Sequence, residues 1–265
     1  MKKIYTIRDP EGQRVHMWSA RRIEEEVNAC PRRSIARYFL DHLPKDAPIL
    51  EAGCGLGAWV VYLSERGYDI AGIDNDASVI DRLKGWRPTL KVRCGDIREL
   101  PYEDGALGAV ISLGVMEHFE EGCGDAMRET HRVLRPGGLL FFTVPMENPF
   151  RRVFAHPLRT LYLTWRKSRG DGIHFAEYRF SRSEVETLLR EHGFEPMITT
   201  WDDFTEKTMS LGIWADFPPL QGEAPYTMKP AGKIAAYGMN SLSRWAACAA
   251  IFCLARKPDR HFTSG

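Results

Sequence analysis

A chain of 265 residues with 44% hydrophobic content is long enough to bury a two-sided sheet core and to carry additions around it. Its formal net charge of +1 argues against a nucleic-acid role driven by bulk electrostatics. Six cysteines, at 30, 54, 94, 123, 248 and 253, form no C-x-x-C pair and no regular spacing, which speaks against a disulfide scaffold and fits reduced thiols in a cytoplasmic protein.

Met1-Lys2-Lys3-Ile4-Tyr5 leads at once into Arg8, Asp9 and Pro10, so no export leader is expected. Residues 1–46 read as a helical cover for a ligand cleft. A helix from Pro31 carries Ile35, Tyr38, Phe39 and Leu43 on one side, and Trp18 and the charged run Arg21 to Glu26 precede it.

The most informative segment follows. Ile49-Leu50-Glu51-Ala52-Gly53-Cys54-Gly55-Leu56-Gly57 is an apolar strand with an acid near its end and three glycines at every second position. That order describes a strand opening into a turn where a ligand can approach bare backbone. Ala58 to Arg66 is helix-forming and Gly67 supplies its stop. Asp69 to Ile73 reads as a second strand with Asp74 at its carboxyl end, 17 residues past Gly57, where an acid can bind ribose hydroxyls.

A helix from about Ala77 to Trp86 comes next, then a strand over Leu90 to Cys94 ending at Gly95-Asp96-Ile97, and a fourth strand over Ala109 to Leu113. Glu51, Asp74 and Asp96 would then ring a cofactor whose amine, sugar and base are held separately. An acid directly before the glycines suits a cationic ligand better than a pyrophosphate. Cys123, Ala126, Met127, Thr130, Val133 and Leu134 fall at helical steps, Pro136-Gly137-Gly138 ends that helix, and a fifth strand runs from Leu139 to Val144.

In this order of motifs the chain resembles class I S-adenosylmethionine-dependent methyltransferases, of the broad group that methylates small molecules, over roughly residues 30 to 200. The carriers are EAGCGLG at 51–57, GIDND at 72–76, GDIRELPYEDGALGAVISLGVMEHF at 95–119 and HRVLRPGGLLFFTVP at 131–145. The resemblance implies an α/β fold, a Rossmann-like doubly wound, mostly parallel seven-stranded sheet with the last strand antiparallel. It implies S-adenosyl-L-methionine as cofactor. Carried over by position, Glu51 and the loop of Gly53, Cys54, Gly55 and Gly57 would lie against the methionine part, Asp74 with Asn75 at the ribose, Asp96 with Ile97 at the adenine, and Ser112 and Leu113 at the amine end. Each feature alone has a structural reading as packing glycine, helix cap or turn; it is their succession that points to a cofactor site.

Between the fifth strand and the next helix the chain spends roughly 35 residues, about 146–180, on what could be a short loop, so an inserted lid is expected. Phe150, Val153, Phe154, Leu161, Tyr162 and Trp165 share helical spacing there, and Arg151, Arg152, Arg159, Arg166, Lys167 and Arg169 add six positive charges before Asp171. The favoured expectation is a lid packed on its own domain with solvated arginines, since Pro157 should interrupt the helix; the alternative is peripheral contact of 150–169 with an anionic membrane surface, or with an acidic substrate. Ser181 and Glu184 form a capping-box pattern, with Val185, Leu188 and Leu189 buried and Gly193 closing the helix. Trp245 to Ala255 is the most apolar stretch, but eleven residues fall short of the ~20 that span a membrane. It reads as a buried final strand with its lead-in, and the domain as 47–258 with a tail at 259–265.

For chemistry, an activated methyl donor asks mainly for alignment, with a general base near neutral pKa where the acceptor carries a proton. His118 with Glu117, just after the fourth strand, are the catalytic candidates, and Trp18, Glu147, Asn148, His174 and Tyr178 the acceptor contacts. The rivals are a nicotinamide-dependent oxidoreductase, against which stand the G-x-G-x-G spacing and the absence of a Tyr-x-x-x-Lys pair, and a non-catalytic binder of the same cofactor. No metal-ligand cluster, repeat or basic aromatic stripe marks a metal or nucleic acid. The aromatic flanks suit a small molecule such as a sugar, lipid precursor, quinone-like ring or polyketide.

Overall fold

A computed structural model of the protein describes residues 1–7 and 21–259. Nine strands are described: β1 Lys2–Thr6, β2 Ile49–Ala52, β3 Ile70–Asp74, β4 Val92–Cys94, β5 Leu107–Leu113, β6 Leu134–Pro145, β7 His174–Arg179, β8 Glu195–Asp202 and β9 Ala250–Arg256. Seven of them form one sheet in the order β4-β3-β2-β5-β6-β9-β8. β2 pairs in parallel with β3 and with β5, and β5 in parallel with β6, whereas β9 runs antiparallel to both β6 and β8. The expected mostly parallel, doubly wound sheet with an antiparallel last strand is thus present. Chain order reverses between β2 and β5, and in such sheets the crevice outside the strand ends at that reversal is where ligands bind.

Alternation within the strands explains the two layers. On one face Leu50, Val110, Leu140 and Phe142 pack under Met127, Val133, Val185 and Leu189 from the helices Gly124–Val133 and Arg182–Glu191. On the other, Ile49, Ile111, Phe141 and Phe252 meet Ile35, Phe39, Val60, Leu63 and Leu83. Burying each such side chain is worth about 1.5–3 kcal/mol, so both faces of the sheet are committed to helices. A third cluster, including Phe204, Met209, Ile213, Tyr226 and Ala236, is built from the long connection between β8 and β9, for which the sequence supplied no expectation.

Several expectations are corrected. The N-terminal segment is not wholly helical, because Lys2–Thr6 forms a strand paired antiparallel with β7 of the insertion. Within that segment the helix Ala36–His42 packs on the sheet face, with Phe39 edge-on to Trp59 and 5.2 Å from the Phe141 ring. β6 begins at Leu134 rather than Leu139, since the Gly137 N–H donates to the Lys257 carbonyl and the Lys257 N–H to that of Gly138, which draws the turn into the sheet. Pro157 does not interrupt the insertion's helix. A π-helical turn over Arg151–Ala155 runs into the helix His156–Ser168, and Pro157 sits in the first turn of the latter, just after the wider turn. Finally, that helix does not turn its apolar side onto the domain: Phe154, Leu158, Leu161 and Trp165 are all about half exposed or more.

Candidate functional site

β2 is buried along its whole length, and its chain leaves the sheet through Gly53, whose φ of +82° belongs to the left-handed region. A Cβ there would come within 2.4 Å of Val115 Cγ2, so only glycine permits both the backbone and the packing. The Gly53 and Cys54 N–H groups both donate to the Ile73 carbonyl, at 2.8 and 3.0 Å, tying the turn to β3. Gly57, also left-handed, lies directly before the helix Ala58–Ser64, and a Cβ on it would press on Leu83. The loop therefore offers bare peptide to the crevice.

Carboxylates surround that peptide in distinct states. Asp76, not Asp74, caps the helix Ala77–Trp86, accepting from the N–H groups of Ser78 and Val79. Asp74 instead accepts from Gly55 N–H at 2.8 Å and Asp76 N–H at 3.0 Å, bridging the glycine loop and the end of β3. Glu51 is buried, and its Oε2 accepts from Val60 N–H at 3.1 Å. Burial, reinforced by Asp74, pushes its carboxyl up to about 8. A cation arriving beside it would favour the ionised form. Asp96 is held below the usual carboxylate range by hydrogen bonds from Arg98, Ile97 next to it is buried, and Asn75 is exposed. Burial pushes the Cys54 thiol well up, making it an inert packing group.

At the end of β5, Ser112 is fully buried and its hydroxyl finds no partner among the described residues; Leu113 is partly exposed. The chain turns at Gly114 into Met116–His118. Glu117 points inward, 2% exposed, and its Oε2 likewise has no partner among the described residues. Burial raises its carboxyl to about 7, opposed by His118. His118 is partly exposed, its Nδ1 lies 2.7 Å from the Ala176 carbonyl of β7, and its Nε2 is 3.9 Å from Glu117 Oε1.

The remaining acceptor candidates are dispersed in role. Asn148 is fully buried and wholly engaged, its Nδ2 donating to the Cys248 carbonyl and its Oδ1 accepting from Arg151 N–H. Glu147 pairs with His156 at 2.6 Å and with Lys2 at 3.5 Å. Tyr178 donates its hydroxyl to the Glu120 carbonyl, and His174 is exposed at the start of β7. Trp18 lies outside the described residues.

Sequence reasoning missed an ionic cluster behind the insertion. Arg151 donates to Asp216 at 2.6 Å and to the carbonyls of Met146 and Ala249, while Arg179 donates to Glu177 at 2.7 Å and Asp216 at 3.0 Å. Burial alone would raise the Glu177 and Asp216 carboxyls, but the two guanidinium groups bring both below their ordinary values. Arg151 read as one of six solvated positive charges; only its place near Asn148 in a tight turn hinted otherwise.

A methyltransferase domain model matches residues 50–142, the stretch from β2 through most of β6. Those residues are a methyltransferase domain of the class I, S-adenosylmethionine-dependent kind. The chain is 29% identical over 164 residues, 62% of its length, to a "Probable S-adenosylmethionine-dependent methyltransferase" of Mycolicibacterium smegmatis. The aligned stretch spans 58% of that relative, less than two thirds of its length. In fold, the chain is similar to an S-adenosylmethionine-dependent methyltransferase of Methanosarcina mazei, at 16% identity and a TM-score of 0.59 over 84% of this chain and 98% of the other. It is also similar to the geranyl diphosphate C-methyltransferase of Streptomyces coelicolor, at 17% identity and a TM-score of 0.55 over 83% and 77%. The residues present fit the cofactor: a glycine turn that a single Cβ would fill, and beside it the buried carboxyl of Glu51, which a sulfonium or ammonium charge would favour in its ionised form. Among the described residues no helix is long and apolar enough to cross a membrane.

Proposed function

We propose that the protein moves a methyl group from S-adenosylmethionine to an O, N or C nucleophile of a small molecule by in-line displacement, within a domain spanning 47–258 whose 146–180 insertion acts as a lid. The observation that carries this reading is Glu117, a buried carboxylate whose Oε2 has no partner among the described residues, next to His118, which contacts the insertion's strand β7. When bound, the cofactor supplies a methyl group already activated by its sulfonium. The chain's own work is then alignment and exclusion of water.

Glu51, Asp74 and the loop from Gly53 to Gly57 would hold the donor, with Asp96, Ile97, Ser112 and Leu113 along the same edge. Asp96 would exchange its Arg98 partner for the ligand. Glu117 has a pKa suited to taking a proton from a hydroxyl or ammonium acceptor near neutrality, and its free Oε2 is the atom that would receive it. His118, fixed through Nδ1 by the lid backbone, sets its other nitrogen toward Glu117, and as a cation would favour the ionised carboxylate. His174 and Tyr178 on β7 lie on the lid side, where an acceptor would enter. A small acceptor accords with the structural neighbour that acts on geranyl diphosphate.

The test is incubation of the full chain with methyl-labelled cofactor and a fractionated metabolite extract. Label appearing in a small-molecule fraction supports the reading. Cofactor binding without any labelled product would instead make the protein a non-catalytic binder.

A further inference from the structure

The helix His156–Ser168 carries its largest apolar side chains on the wrong side for a packed lid. Of the thirteen large hydrophobic residues exposed among the described residues, six lie between Val153 and Trp165. Leu158, Leu161, Tyr162 and Trp165 fall within about 100° of arc at 100° per residue, a continuous stripe, and Phe154 one turn earlier extends it. The helix is held to the protein on another side, where buried His156 pairs with Glu147 and Ala155 is buried at the stripe's edge. An exposed stripe of this kind marks an interaction surface.

The charges identify the partner. From Arg152 to Asp171 the segment holds Arg152, Arg159, Arg166, Lys167 and Arg169 against the single acid Asp171. Arg166 is paired with that acid, which Arg169 also faces, and Arg152 and Lys167 are exposed with no further acid on the segment to oppose them. The Arg169 guanidinium lies 4.5 Å from the Trp165 ring centre and Arg166 donates to the Tyr162 hydroxyl, so cations frame the aromatic end of the stripe. Aromatic rings with a polar edge, aliphatic side chains between them and a cationic border are the composition of a helix that lies in the headgroup layer of an anionic bilayer. At 13 residues the helix can lie in that layer but not cross it.

We propose that this stripe docks the protein on an anionic lipid surface, with the helix parallel to the membrane plane. The inference stands on the exposed stripe and its charge border and does not depend on the methyl-transfer reading. Docking inserts Leu158, Leu161 and Trp165 among the acyl chains and sets Arg169, beside the Trp165 ring, at lipid phosphates, while Arg152 and Lys167 add longer-range attraction to the anionic surface.

The test is co-sedimentation of the full chain with vesicles of phosphatidylcholine containing 30% phosphatidylglycerol, against vesicles of phosphatidylcholine alone. That composition is about that of an anionic leaflet. The expected result is binding to the anionic vesicles that weakens as salt rises, with a blue shift of tryptophan emission. Leu161→Glu with Trp165→Glu should lower partitioning more than about tenfold, and Arg152→Glu with Lys167→Glu and Arg169→Glu should do the same. All five side chains are exposed, and an unchanged thermal melt confirms that the variants fold. Absence of binding to anionic vesicles, or equal binding by the apolar double variant, overturns the proposal. So does a concentration-dependent dimer that the double variant abolishes, since the stripe would then serve a second copy of the chain.

Discussion

Two halves of one crevice are built by different means. On the side of β2 and β3 the site is made of backbone: a turn that excludes side chains, two N–H groups on the Ile73 carbonyl, and carboxylates one or two residues from the strand ends. On the side of β6 and β7 it is made of side chains brought from afar, with Arg151, Arg179 and Asp216 joining the insertion to the segment between β8 and β9. The first half is specified locally and leaves little room for change. The second is specified by long-range ion pairs and can be remodelled without touching the first, as suits a crevice with one fixed ligand and one variable one.

The comparison breaks most severely at Asp216. Asp216→Ala leaves two buried guanidinium groups short of a partner, and should cost about 3–5 kcal/mol in chemical denaturation. In the folded fraction, cofactor affinity should change less than about threefold, because distant sites behave additively. Gly53→Ala is the counterpart on the other side. A left-handed backbone costing about 1–2 kcal/mol, together with the Val115 clash, should weaken cofactor binding by about a hundredfold in calorimetry.

Glu117→Gln sharpens the boundary between the halves: turnover should fall about a hundredfold while cofactor affinity stays nearly unchanged. His118→Ala should lower turnover about tenfold by the same assay, again sparing affinity. A variant of either residue that lost cofactor binding in proportion to rate would place it in the first half instead.

What could be read in advance follows the same division. The glycine turn, Asp74 at the end of β3, the helix Ala77–Trp86 and the capping box at Ser181 were legible because each is set by neighbours within a few residues. β1 was not, since Lys2–Thr6 becomes a strand only by pairing with His174–Arg179 far along the chain. Arg151 read as a solvated charge because its partner Asp216 is 65 positions away. Asn148 read as an acceptor contact, yet its amide is spent holding the turn that buries Arg151. The exposed stripe was visible as a helical pattern, but periodicity does not say which face meets the protein.

The remaining prediction bears on the central claim. Glu51 has its pKa raised from an ordinary 4.5 to about 8 in the free protein. Stability from carrying that proton is fully present below pH 4.5 and lost as pH rises to about 8, at up to about 1.4 kcal/mol per unit. Glu51→Gln should remove this component of the decline in urea melts run across that range.

A cationic ligand should drive the same proton off. The most direct measurement is therefore calorimetric titration of the full chain with S-adenosylmethionine between pH 6.5 and 9, beside Glu51→Gln to cancel the ligand's own titration. Affinity rising with pH up to about 8 and then levelling, with the rise missing from the variant, is the predicted result. No heat of binding at any pH, or the same pH dependence in both proteins, would contradict the account.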